Sequence, residues 1–246
     1  LHNEKRYCIW LLNSSPSEIK TIVKIWNRVD AVRKWRHSSN RLTTKRLAET
    51  PAIFAEIRQP NTSYLAFPTI SSVNRTYIPI AFVDQNTIAS NQLYIIPKAN
   101  LFSFGILTSI MHMAWVKYVC GRFKSDFRYS SSIVYNNFPW PENPTDKQKE
   151  AVEKAAQAVL DARNIFQQST DGSKGASLAD LYDPNTMPPV LVKAHQTLDK
   201  AVDLCYRPQP FPNETKRIEF LFELYNKYTE GIFEGEKKNK TKKKSN

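Results

Sequence analysis

Glycine is scarce, with six in 246 residues and no GxG among them. A nucleotide or methyl-donor cofactor needs a glycine-rich turn after a strand to let backbone approach it, and none is present. Cysteine is scarcer still. Cys8, Cys120 and Cys205 are odd in number and far apart, which excludes a disulfide framework, fits a reducing cytosol and leaves no CxxC metal site. Cys120, beside an apolar run, reads as a small core residue. The four histidines are scattered: His112 is expected as a satisfied core histidine, and His195 as a helix residue without a partner. There is no acceptor-rich Asx-Pro-Pro-aromatic turn of the kind that holds a base's amino group, since Asn143-Pro144-Thr145-Asp146 lacks the second proline and the aromatic. ExK triplets occur at Glu18-Ile19-Lys20, Glu214-Thr215-Lys216 and Glu236-Lys237-Lys238. None has the strand-borne Asp that a two-metal nuclease requires. Leu101–Val119 is the longest apolar run, but Ser103, Ser109, His112 and Lys117 interrupt it, so it predicts a buried helix, not a membrane span. No catalytic group and no cofactor site is expected in this chain.

Acidic residues are also few where basic ones are many. Residues 1–141 hold 18 Lys and Arg against 7 Asp and Glu, and residues 142–236 hold 11 against 16. Lys237 to Asn246 add six Lys and no acid, completing a net charge of +12. Lys20, Lys24, Arg28, Arg33, Lys34, Arg36, Arg41, Lys45 and Arg46 fall within 27 residues, opposed there only by Asp30. Such a block favours a phosphate backbone as partner, because each neutralised phosphate releases condensed counterions. An anionic membrane is disfavoured, since no helix with a wide apolar face accompanies the cluster.

Apolar periodicity and turn signals divide the rest. Tyr7–Leu12 is expected as a buried strand, with Ser14-Ser15-Pro16 opening a helix that carries Ile19, Ile22 and Trp26. A second helix runs from Asp30 towards Thr50 with a break around His37–Arg41. Strands are expected at Ile53–Arg58, Tyr64–Thr69, Tyr77–Val83 and Gln92–Pro97, then a helix over Phe102–Cys120, then strands Lys124–Ser130 and Ser132–Phe138. After Pro141 the pattern is helical, with starts at Thr145-Asp146, Pro188-Pro189 and Asn213 and a break at Asp171-Gly172-Ser173. The expected fold class is α+β, a domain over residues 1–141 with a small twisted mixed or antiparallel sheet and flanking helices. An all-α domain over 142–233 follows, and then a disordered basic tail, 234–246.

Base edges are read by bidentate side chains: Arg for guanine, Asn or Gln for adenine, Asp or Glu for cytosine. Two segments present such groups on expected loops, Arg36-His37-Ser38-Ser39-Asn40-Arg41 and Ser71-Ser72-Val73-Asn74-Arg75-Thr76-Tyr77. An ordinary hairpin turn is the bland alternative for the second, since Ser and Asn favour turns.

The run LFSFGILTSIMHMAWVKYVCGRFKSDFRYSSSIVYNNFPWP (Leu101–Pro141) resembles the target recognition domain of MmeI-like, type IIL restriction–modification enzymes. So do Tyr77-Ile78-Pro79-Ile80, GASLADLYDPNTMPP (Gly175–Pro189) and KRIEFLFELYNKYT (Lys216–Thr229), so the likeness covers nearly the whole chain. The resemblance implies a DNA-reading fragment, in keeping with a first residue, Leu1, that is not Met. Its parent would be a bacterial, cytoplasmic S-adenosylmethionine-dependent DNA methyltransferase acting at adenine N6, with or without an endonuclease. The cofactor would sit in an N-terminal methyltransferase domain outside this chain. Double-stranded DNA and that domain are the expected partners, with no membrane. The family's recognition positions map onto Asn40, Arg41, Val73, Arg75 and Tyr77 as base readers. Arg33, Arg36, Lys45, Arg46, Ser72, Asn74, Lys124 and Arg128 are expected at the DNA backbone. The alternative is a stand-alone protein-interaction module with a merely solvated basic face.

Overall fold

A computed structural model of the chain describes residue 4, residues 6–168 and residues 175–242, with side chains as far as residue 230. It divides into two units, Glu4–Gln59 and Pro60–Asn246.

The first unit is helical. Helix α1 (Pro16–Thr21) opens with a reciprocal capping box, in which Ser15 Oγ accepts from Glu18 N–H and the Glu18 carboxylate accepts from Ser15 N–H. Glu18 of the first ExK triplet is therefore a cap. Helix α2 (Val23–Ser38) carries most of the basic block, and α3 (Leu42–Arg46) follows a three-residue break and runs into a 3-10 turn, Leu47–Glu49. The expected strands Tyr7–Leu12 and Ile53–Arg58 do not form. Ile9, Leu11, Ile53 and Phe54 instead line a cavity along α2 with Val29 and Val32. Ile9 and Phe54 are exposed and Leu11 and Ile53 half-buried, so neither segment is a buried strand, and with no neighbouring strand to bond there is no ladder.

The second unit begins with two small antiparallel sheets. In the first, β1 (Tyr64–Pro68) lies between β3 (Ala81–Val83) and β4 (Leu93–Pro97). All five β1 residues are buried, as expected of a central strand covered on both faces. In the second, β6 (Asp126–Arg128) lies between β2 (Ile70–Ser71) and β5 (Gly121–Phe123), with Ile70 opposite Arg128 and Ser71 opposite Phe127.

The single helix expected at Phe102–Cys120 is two, α4 (Leu101–Leu107) and α5 (Ile110–Val119). Ser109 causes the break. Its hydroxyl donates to Ile106 O and accepts from His112 N–H, so it ends one helix and caps the next. The expected strand Ser132–Phe138 is instead a π-helical turn, Ser131–Tyr135. Asn137 Nδ2 donates to the Ser132 and Ile133 carbonyls and Trp115 Nε1 to the Val134 carbonyl, taking the acceptors a ladder would use.

The helices after Pro141 are α6 (Asp146–Gln167), α7 (Leu178–Leu181), α8 (Pro189–Tyr206) and α9 (Glu214–Lys242), capped as expected at Thr145 and Asn213. Helix α9 continues through residues 234–242, where a disordered tail was expected; Lys and Glu have high helix propensity. Residues 243–246 and the expected break at 171–173 lie outside the described residues.

The core does not stop at Pro141. Helix α4 packs on α6 and α8 through Gly105, where a Cβ would stand 2.6 Å from Val152 Cγ1 and 3.3 Å from Leu198 Cδ1. Trp115 of α5 packs against Phe222 and Tyr225 of α9. Tyr206 and Tyr228 donate to the carbonyls of Pro139 and Trp140, fastening the Pro-Trp-Pro exit to the helices.

Arg163 of α6 is 2% exposed and has no carboxylate partner among the described residues. Its guanidinium donates to Ile80 O at 2.6 Å and to the Tyr182 hydroxyl, and lies between the Phe104 and Tyr182 rings. Tyr182 in turn donates to His195 Nε2 at 2.7 Å, because its oxygen already accepts from Arg163. His195 thus has a partner after all, and burial followed by the Arg163 charge holds its pKa well below the usual value. His112 is the satisfied core histidine expected of it. Its Nδ1–H donates to Leu107 O at 2.8 Å and its Nε2 accepts from the Tyr129 hydroxyl at 2.9 Å, which fixes a neutral tautomer.

Two outcomes follow. Gly105→Ala is expected to lower stability by about 1–3 kcal/mol through overpacking, and adding Val152→Ala to recover part of the loss, read by urea unfolding. Burial pushes the His112 pKa down to about 4, below its unfolded 6.5. Its contribution is therefore complete above pH 6.5 and is lost as pH falls towards 4, a span of about 3 kcal/mol. His112→Gln should flatten the melting temperature against pH between 6.5 and 4.5.

Candidate nucleic-acid interface

In the first unit the break between α2 and α3 presents Asn40 and Arg41, both exposed, with Arg33, Lys45 and Arg46 also exposed nearby in sequence. Arg41 N–H donates to Ser39 Oγ, and Ser38 Oγ donates to Trp35 O, so local side chains shape the turn. Arg33 and Lys20 lie over the Trp26 ring at 5.8 and 5.5 Å. Lys34 pairs with Asp30 at 2.7 Å, which neutralises one charge of the block.

Arg36 has a different place from the one expected. Its guanidinium donates to Leu47 O, Thr50 O and Ile53 O at 2.9, 2.9 and 3.0 Å. Those donors are spent on the chain that returns along α2, so Arg36 fixes the helix–break–helix instead of presenting itself to a phosphate. Residue type gives no sign of this, since Arg28, Arg33, Arg41 and Arg46 in the same block are arginines too.

In the second unit the structure brings Ser72, Val73, Asn74 and Arg75 beside Lys124 and Arg128. The β2–β6 pairing does this, setting the turn that leaves β2 next to the β5–β6 hairpin. Val73 and Asn74 are exposed, Ser72 and Arg75 half-buried, and Lys124 and Arg128 exposed. Inside the turn Asn74 N–H donates to Ser72 Oγ and Arg75 N–H to Ser72 O. Val73 N–H donates out of the turn, to Asp126 Oδ1 at 3.2 Å. Lys124, at the hairpin tip, has φ of 55°, a left-handed conformation that a tight two-residue connection demands. Arg122 lies over the Phe127 ring at 4.2 Å and donates to Lys117 O, so Lys124 and Arg128 are the cations this hairpin offers outward.

Tyr77 is the second correction. It is 5% exposed, its ring stacks on His195 at 4.0 Å, and its hydroxyl donates to Asp199 Oδ2 at 2.7 Å. Burial, then the Asp199 charge, push its pKa upward. Asp199 also accepts from Ile110 N–H at 2.8 Å, and burial raises its own pKa to about 6. A ring committed on its face and at its hydroxyl cannot touch a base. Tyr77 ends the turn by anchoring it to α8. The residues missed by sequence reasoning are these anchors, Asp126, Asp199 and His195. They lie 53, 122 and 118 positions from the turn residues they serve, too far for any local pattern.

The arrangement can hold polar side chains rigidly next to cations. It offers no nucleophile–base pair, and among the described residues no group of His, Cys, Asp or Glu could hold a metal ion. No helix among them is long and apolar enough to cross a membrane.

A family model described as MmeI, target recognition domain, matches residues 1–142, and one described as MmeI, C-terminal domain, matches residues 144–233. DNA methyltransferase A of Bacillus subtilis (strain 168) is 39% identical over 225 residues, covering 92% of this chain and 25% of that protein. The solved type IIL restriction–modification enzyme MmeI, in complex with DNA, superposes with a TM-score of 0.84 at 47% identity, over 91% of this chain and 29% of that one. The chain therefore spans between a quarter and a third of the length of these relatives. It belongs to the MmeI family, its first part to the target recognition domain and its second to the C-terminal domain.

Proposed function

We propose that this chain is the sequence-reading part of a site-specific DNA methyltransferase of a bacterial restriction–modification or phage-defence system, working in the cytoplasm on double-stranded DNA. The observation that carries this reading is the turn Ser72–Arg75 set beside Lys124 and Arg128. Phosphate contacts position a protein on the duplex and base contacts specify the site, and this surface supplies both kinds of group. Arg75 is a guanine reader by its fork of donors. Val73, with no hydrogen-bonding group in its side chain, either meets a thymine methyl or reads nothing. Asn40 and Arg41 make an equivalent polar pair in the other unit, flanked by Arg33, Lys45 and Arg46. MmeI is itself solved with DNA, and DNA methyltransferase A carries its activity in its name.

The methyl transfer, at adenine N6, belongs to a methyltransferase domain of the parent that binds S-adenosylmethionine. This chain would hold the duplex in register while that domain extrudes the base. An endonuclease in the same parent is compatible with this division of labour.

The test is selection from a randomised duplex library by the chain, with bound DNA sequenced and affinities measured against salt. A preferred motif is expected, with log affinity falling linearly in log salt concentration. Arg75→Ala should reduce discrimination at one base pair by about tenfold. Lys124→Ala and Arg128→Ala should each weaken all duplexes alike and reduce the salt slope by about 0.9. Binding without any preferred motif and without salt dependence would point instead to a protein-interaction module.

A further inference from the structure

Asp126 is the only acid between Asp84 and Glu142, and it stands in a hairpin whose outward charges are Lys124 and Arg128. A carboxylate at a surface meant for phosphates opposes binding by its charge, so its presence there calls for a separate reason. Its neighbours in the hairpin do not supply one. The hairpin is closed by backbone pairing of Gly121 with Arg128, Arg122 with Phe127 and Phe123 with Asp126. The side-chain bond that Asp126 makes leaves the hairpin altogether and accepts from Val73 N–H, 53 residues earlier.

That bond falls at a decisive point. Within Ser72–Arg75 the other hydrogen bonds, Asn74 N–H to Ser72 Oγ and Arg75 N–H to Ser72 O, are internal and give the turn its shape but not its orientation. Orientation comes from its two ends. At one end Ser71 pairs with Phe127 in the ladder. At the other the Tyr77 ring is clamped by His195 and its hydroxyl by Asp199. Val73, Asn74 and Thr76 are the exposed residues between those ends, and Val73 is tied to the β5–β6 hairpin through Asp126. A side chain that discriminates bases must be held to within a fraction of an ångström by its supporting shell.

We propose that Asp126 is a positioning residue for base reading, its carboxylate fixing the Val73 amide and hence the direction of Val73 and Arg75. The proposal rests on the DNA-reading function above. It makes Asp126 a determinant of specificity that touches no base.

The experiment compares the full chain with Asp126→Ala and Asp126→Asn, using the same randomised duplex library and amide hydrogen exchange of the free protein. Asp126→Ala should lose about tenfold in discrimination at the positions read by Val73 and Arg75. Its affinity for bulk duplex should be unchanged or slightly higher, because a negative charge has left the hairpin. Exchange of the Val73 amide should quicken, and the melting temperature should stay close to that of the parent. Asp126→Asn keeps an acceptor oxygen and should keep the parent's preferred motif and Val73 protection. An Asp126→Ala protein with the parent's motif and discrimination would overturn the proposal. So would loss of the motif in both variants at a cytosine position, which would make the carboxylate a direct base reader. If the parent chain itself selects no motif, the DNA-reading function fails along with the positioning role. That outcome is separate from a parent that selects and a variant that selects equally well.

Discussion

The second unit is organised around a cation with no carboxylate. Among the described residues Arg163 has no anion beside it, and an isolated charge in a low-dielectric interior is costly unless dipoles surround it. Its solvation comes from the carbonyl of Ile80, the hydroxyl of Tyr182 and two aromatic faces. Each of those groups is then held in place in turn. Tyr182 is oriented to donate to His195, His195 is stacked under Tyr77, and Tyr77 is bonded to Asp199, which also caps the start of α5 through Ile110 N–H. One buried guanidinium thus links α6, α7, α8, the chain just before β3 and the end of the exposed turn. The close approach at Gly105 brings α4, α6 and α8 near enough for this to happen.

The consequence for function is rigidity placed under a polar turn. The turn Ser72–Arg75 is short, solvent-facing and made of residues that would be mobile on a free loop. Here it leaves a ladder at Ser71 and re-enters the core at Tyr77. The helices after Pro141 therefore do more than follow the sheets. They supply His195 and Asp199, the groups that hold one end of that turn. In the other unit Arg36 does comparable work with three carbonyls, setting the break at Ser39–Arg41 from within.

Local patterns in the sequence reported some of this and not the rest. Capping signals at Ser15, Thr145 and Asn213 and the periodicity of α6 and α8 carry their information within a few residues, so those helices were readable. Strands β1 and β4 were readable as apolar runs between turn signals. Ser132–Phe138 has the composition of a strand but spends its carbonyls on Asn137 and Trp115, a choice made by residues that need the fold to reach it. The same holds for function. Composition marked the basic block and the two polar turns, whereas the difference between Arg36 and Arg41, or between Tyr77 and Arg75, is one of burial and partners. Long-range anchors such as Asp126 leave no local trace. The family resemblance supplied the overall reading that residue chemistry alone left open.

The central claim is that the polar turns flanked by cations are the surface that meets DNA. Hydrogen–deuterium exchange of the chain with and without saturating duplex tests it most directly. The account predicts added protection at 72–76, at 122–128 and at 39–46, with the outer faces of α6 and α8 unchanged. Protection confined to α6, α8 or α9, or no change anywhere at saturation, would contradict it.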